Sequence, residues 1–112
     1  MNAIRYGAAL AALLLAWGTA HAADQSGNVN RGKDLFNQFC VRCHGEGQWA
    51  SSVLAKRMPT EVSELEKRTD LAPNYVEHIA RVGLNNMPGY RPTELTDNDL
   101  KAIAEYLTRN NK

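Results

Sequence analysis

Five consecutive residues, Cys40-Val41-Arg42-Cys43-His44, place two thiols and an imidazole within about one helical turn of each other. Thiols at that spacing can reach the two vinyl groups of one haem and form thioethers, and the next imidazole can then sit under the iron. The chain has 2 cysteines, and the motif uses both. The expected chemistry is covalent attachment of a single haem c through Cys40 and Cys43, with His44 as an axial iron ligand. Two other uses of C-x-x-C compete with this one. A thioredoxin-like redox pair would sit in a βαβ pattern, and none surrounds the motif. A structural zinc site wants four ligands, usually as two spaced pairs. No second cysteine pair exists, and the remaining histidines are His21 and His78.

Iron held by His44 leaves a second axial position. Met87 is the expected ligand, in the loop Asn85-Asn86-Met87-Pro88-Gly89-Tyr90. A thioether is a soft iron ligand that raises the reduction potential, and Pro88 biases Met87 away from helix. Met58-Pro59 repeats the dipeptide much nearer His44, where lining the haem pocket suits it better. His78 is a nitrogen alternative, set among charged neighbours in a helix. Trp49, Tyr90, Arg57 and Arg91 are candidates for contact with the haem propionates. Plain packing and solvated surface are the competing roles for them. Asn85 or Asn86 is a candidate hydrogen-bond donor to the methionine sulfur.

Helices must position these groups, and the chain reads as all-α. A first helix, capped by Asn28 or Asn30, runs to the motif with Leu35, Phe36 and Phe39 on its apolar side. Gly32 within it implies close approach of another helix. A second helix starts at Pro73, carries Tyr75, Ile79 and Val82 as its apolar stripe, and stops at Gly83. A third starts at Thr96, where Thr96-x-x-Asp99 resembles a capping box, and buries Leu100, Ile103, Tyr106 and Leu107. Glu61 to Arg68 predicts only a turn or two of helix. Gly45 to Ser52 and Leu84 to Leu95 read as irregular.

The start of the chain bears on its compartment. Arg5, the apolar run Ala8 to Trp17 and the small-residue site Ala20-His21-Ala22 form a secretion-signal pattern. The run is too short to span a bilayer as a stable helix. Residues 1–22 are therefore expected to be a cleaved signal, leaving residues 23–112 as one domain in the periplasm with no membrane span. The 13 basic and 12 acidic residues of the full chain become 12 of each once Arg5 is removed with the signal. That balance argues against a nucleic-acid binder. A domain this small has a limited core of its own, and a buried macrocycle would supply the missing apolar surface.

Taken in order, Gly32 and Phe36, Cys40, Cys43 and His44, the Tyr75 helix, Met87-Pro88, and Ile103 with Tyr106 resemble a class I c-type cytochrome over nearly the whole mature length. The resemblance implies three main helices plus short helical turns wrapped around one covalent haem. It also implies a contact between the first and last helices made by Gly32, Phe36, Ile103 and Tyr106. One feature departs from the family. A Gly-Pro pair that helps orient the histidine ring is missing from Ser51-Ser52-Val53-Leu54, although some backbone carbonyl should still accept the second imidazole N–H. With His44 and Met87 both on the iron, the expected function is one-electron transfer and not catalysis. The expected donor is a periplasmic flavin or quinoprotein dehydrogenase, and the acceptor an oxidase or another cytochrome. The small cytochrome subunits of p-cresol methylhydroxylase-type flavin enzymes are the pattern most resembled. The alternative function is binding of a gas or peroxide at a labile sixth position.

Overall fold

A computed structural model describes residues 20–112, with side chains from residue 28 onward. The expected signal therefore lies outside the described residues, apart from Ala20–Ala22. Three helices dominate: α1 (Ala20–Phe39), α4 (Pro73–Val82) and α5 (Asp97–Thr108). Two short helices lie between the first pair, α2 (Val41–His44) and α3 (Trp49–Leu54), followed by 3₁₀ turns at Thr60–Val62 and Leu65–Lys67. Among the described residues there is no strand, only an isolated bridge between Leu84 and Met87. The all-α reading holds.

α5 is the spine, with α1 and α4 both packed on it. Its start is set by a complete capping box. The Thr96 hydroxyl accepts the Asp99 N–H at 3.2 Å, and the Asp99 carboxylate accepts the Thr96 N–H at 2.9 Å. The same carboxylate also receives the Arg31 guanidinium from α1. Thr96 first, and Arg31 second, hold the Asp99 carboxyl below the usual carboxylate range. The box thus begins the helix and ties it to its neighbour.

At the crossing of α1 and α5 the backbones nearly touch. A Cβ on Gly32 would lie 2.0 Å from the Ala102 carbonyl oxygen and 2.8 Å from the Tyr106 Cβ. Phe36, Leu95, Ile103 and Leu107 fill the interior beside this contact, and the Phe36 and Tyr106 rings sit 5.9 Å apart. The packing reason inferred for Gly32 is therefore correct, as are the four buried positions of α5. At the far end of α5 the Tyr106 hydroxyl donates to Glu66, and Asn111 Nδ2 donates to the Leu71 carbonyl at 2.6 Å. These bonds fasten the irregular stretch between the 3₁₀ turns and α4. Burial first, and Glu66 second, push the Tyr106 phenol up to about 12.

Three local expectations change. α1 starts upstream of Asn28 and Asn30, so neither caps it. The preceding residues include Ala20, Ala22 and Ala23, good helix formers that give no reason to stop. Asn28 instead reaches across to Glu105 on α5. Residues 49–54 are helical where Gly45 to Ser52 was expected to be irregular. On α4 the face toward the core carries Val76 and Ala80, while Tyr75 and Val82 are exposed. Pro73 at the first turn and Gly83 at the stop (φ 79°) stand as expected.

Two outcomes follow for stability. Gly32→Ala must push α1 and α5 apart and should lower the unfolding free energy by about 1–3 kcal/mol, read from a urea midpoint, whereas the exposed neighbour substitution Lys33→Ala should stay within about 0.5 kcal/mol. A carboxyl held below its unfolded value of about 3.9 adds stability above that pH and loses it as pH falls through the folded value. Asp99→Asn should therefore flatten the acid limb of the stability curve below about pH 4; an unchanged acid limb would assign that limb to other groups.

Candidate haem site

The residues singled out by chemistry converge on one cleft. Its larger part, of about 560 Å³, is lined by Cys40, Cys43, His44 and Met87 together with Trp49 and Tyr90. That volume lies in the range of roughly 300–1,000 Å³ usual for cofactor pockets. A smaller part of about 160 Å³ continues it toward the core. Cys40, His44, Leu54, Leu84 and Met87 line both. α2 and α3 pack on each other, and α4 packs on α5. The cleft takes its lining from both pairs.

The motif winds into α2 directly after α1. The His44 N–H donates to the Cys40 carbonyl at 3.0 Å, so thiols and imidazole share one tight turn. Cys40 is half-buried and Cys43 exposed, and the two are not joined as a disulfide. Burial, with Cys43 a smaller cause, pushes the Cys40 thiol up to about 12. Burial lowers the His44 pKa, which favours the neutral imidazole that binds metals.

The expected carbonyl partner for His44 is not there. His44 Nδ1 and Ser51 Oγ are buried without hydrogen-bond partners among the described residues. In and just after the helical stretch 49–54 the carbonyls serve the chain's own amides: Ser51 O accepts Ala55 N–H, and Leu54 O accepts Arg57 N–H.

Met87 is presented by backbone geometry. Leu84 and Met87 exchange two hydrogen bonds, at 3.1 and 2.9 Å, around the two-residue turn Asn85-Asn86. Asn85 takes a positive φ of 53°, a conformation asparagine tolerates better than most residues. Gly83 lets the loop fold back against the end of α4, since a Cβ there would lie 2.5 Å from the Met87 carbonyl oxygen. Gly89 is as tight against the Arg81 carbonyl oxygen, at 2.5 Å.

The other candidates divide. Arg57, Asn85 and Asn86 line the cleft. Arg91 does not, and it pairs with Glu94 instead. Tyr90 lines the cleft, but its hydroxyl donates to the Phe39 carbonyl at 2.7 Å. Met58 lines neither part of the cleft; its sulfur lies 3.9 Å from an Arg68 nitrogen, so the pocket-lining role expected for it is wrong. His78 is exposed on α4. Leu84, which the sequence reading passed over, lines both parts; its one signal was an apolar residue placed just after a helix-stopping glycine. Trp49, Tyr75 and Leu84 are about half exposed or more, and each lines the cleft. Large apolar side chains left uncovered around one cleft mark a place for an apolar ligand.

The donor set is two thiols, an imidazole and a thioether on a mainly apolar lining, which suits a planar macrocycle with a soft central metal. Among the described residues no three or more His, Cys, Asp and Glu side chains are grouped to hold a bare metal ion. The family described as cytochrome c oxidase, cbb3-type, subunit III matches residues 27–107. The cytochrome c subunit of 4-cresol dehydrogenase [hydroxylating] from Pseudomonas putida is 31% identical over 96 residues, covering 86% of this chain and 72% of the relative. No solved structure matches the chain. The sequence order, the helical fold and these two likenesses agree: the chain belongs to the cytochrome c family of haem-bearing electron carriers.

Proposed function

We propose that this protein is a periplasmic one-electron carrier holding one haem c, attached through Cys40 and Cys43 and ligated by His44 and Met87. The observation that carries the reading is that these four side chains line a single apolar cleft. A bound haem supplies one-electron exchange between ferric and ferrous iron. Cys40 and Cys43 would hold the haem as thioethers, an addition of each thiol that needs no oxidant. His44 and Met87 would hold the iron and keep outside molecules off it. Arg57, the charged side chain on the larger part of the cleft, supplies a cation suited to a haem carboxylate.

Residues 1–22 are removed on export in this reading. Among the described residues no helix is long and apolar enough to cross a membrane. The donor is a dehydrogenase comparable to the one whose cytochrome subunit this chain is similar to, and the acceptor is an oxidase or another cytochrome. Redox encounters of this kind bury less than about 1,200 Å².

The purified protein should be red and keep its colour through acid–acetone extraction, and the double substitution of Cys40 and Cys43 by alanine should release the haem. The ferric protein should show the weak far-red band of sulfur–iron bonding. Met87→Ala should abolish that band and lower the midpoint potential, while Met58→Ala leaves both unchanged. Loss of the band in Met58→Ala would reassign the ligand. Rapid carbon monoxide binding by the unaltered ferrous protein would favour the gas-binding alternative.

A further inference from the structure

Tyr90 makes more connections than its place in an irregular loop calls for. Its hydroxyl donates to the carbonyl of Phe39, the last residue of α1 and the one before Cys40, at 2.7 Å. Its ring meets the Phe39 ring edge-on, with centroids 5.7 Å apart. Its N–H donates to the Ala80 carbonyl at 2.9 Å. Its own carbonyl accepts Arg81 Nη1 at 2.8 Å, and the other arm of Arg81 reaches Asp97 at the start of α5 at 2.7 Å. One residue, three positions after Met87, therefore ties the Met87 loop to α1, α4 and the first turn of α5.

The hydroxyl bond differs in kind from the others. The backbone bonds and Arg81 hold the loop to α4 and α5, elements of its own side of the cleft. The hydroxyl holds it to the chain that enters the cysteine–histidine turn. The Phe39 carbonyl sits at a helix C-terminus, where carbonyls lack an intrahelical partner and need one from elsewhere. Breaking this bond leaves that carbonyl unpaired and lets the Met87 side move away from the His44 side.

We propose that Tyr90 is a positioning residue for the Met87 thioether, its hydroxyl acting as the latch that keeps the Met87 loop closed against the cysteine–histidine segment. The latch rests on Met87 being an iron ligand. An outside ligand reaches the iron only when the loop opens, so its apparent affinity measures the open population.

Tyr90→Phe removes the hydroxyl and keeps the ring packing. Imidazole is titrated into the ferric holoprotein, and loss of the far-red band is followed. Losing one latch bond should raise the apparent imidazole affinity about fivefold to tenfold. Asn111→Ala is the control, because it removes a different side-chain bond to backbone, that to the Leu71 carbonyl, away from the loop. It should lower the urea midpoint as much or more and leave the imidazole affinity at the wild-type value. Equal imidazole affinity in Tyr90→Phe and wild type overturns the latch while Met87 remains the ligand. An equal rise in both variants overturns it too, by showing that any loss of stability opens the loop. A wild-type spectrum with no far-red band, or one that persists in Met87→Ala, instead overturns the ligand assignment itself.

Discussion

Where α1 crosses α5, the backbone of Gly32 runs against the Ala102 carbonyl with room for a hydrogen and none for a carbon. Everything around the cleft is referred to that contact. α1 leads straight into the turn that carries Cys40, Cys43 and His44. α5 supports α4, and the loop after α4 carries Met87. The spacing of α1 from α5 therefore sets the spacing of the two sides of the cleft. A packing contact between helices becomes a constraint on where an imidazole and a thioether can meet.

The polar ties reinforce this frame at its ends. Asn28 with Glu105 and Arg31 with Asp99 join α1 to α5, and Tyr106 with Glu66 and Asn111 with Leu71 hold the long irregular stretch. Exposed ion pairs alone contribute little. Here Asp99 also closes the helix cap, and Tyr106 also packs on Phe36, so each polar group does two things at once. Such sharing suits a small domain whose apolar core is limited.

Tyr75, Leu84 and Trp49 are only about half covered by protein, and each lines the cleft. On α4, Val76 and Ala80 pack on the helical core and, with Tyr75 and Ile79, also line the smaller part of the cleft. The expected stripe of Tyr75, Ile79 and Val82 missed the first two, and its Val82 is exposed.

Local chemistry announced itself in the sequence. The cysteine–histidine run, the Met87-Pro88 loop, Pro73, Gly83 and the Thr96 to Asp99 box all depend on neighbours a few residues away, so their types and spacings were enough. The buried face of α5 was equally plain, because helical period alone selects Leu100, Ile103, Tyr106 and Leu107. What distant segments do to one another could not be read that way. Met58 and Met87 share the same dipeptide, yet only the chain's path brings Met87 to the cleft and leaves Met58 beside Arg68. The stretch 49–54 became helix where an irregular segment was expected. Tyr90 looked suited to a propionate, but its hydroxyl meets the Phe39 carbonyl, a pairing between residues far apart in the chain. Residue types and short spacings therefore determined which chemically capable groups this protein carries. The tertiary structure decided which of several equivalent side chains reach the cleft, because that depends on contacts made only when remote segments pack.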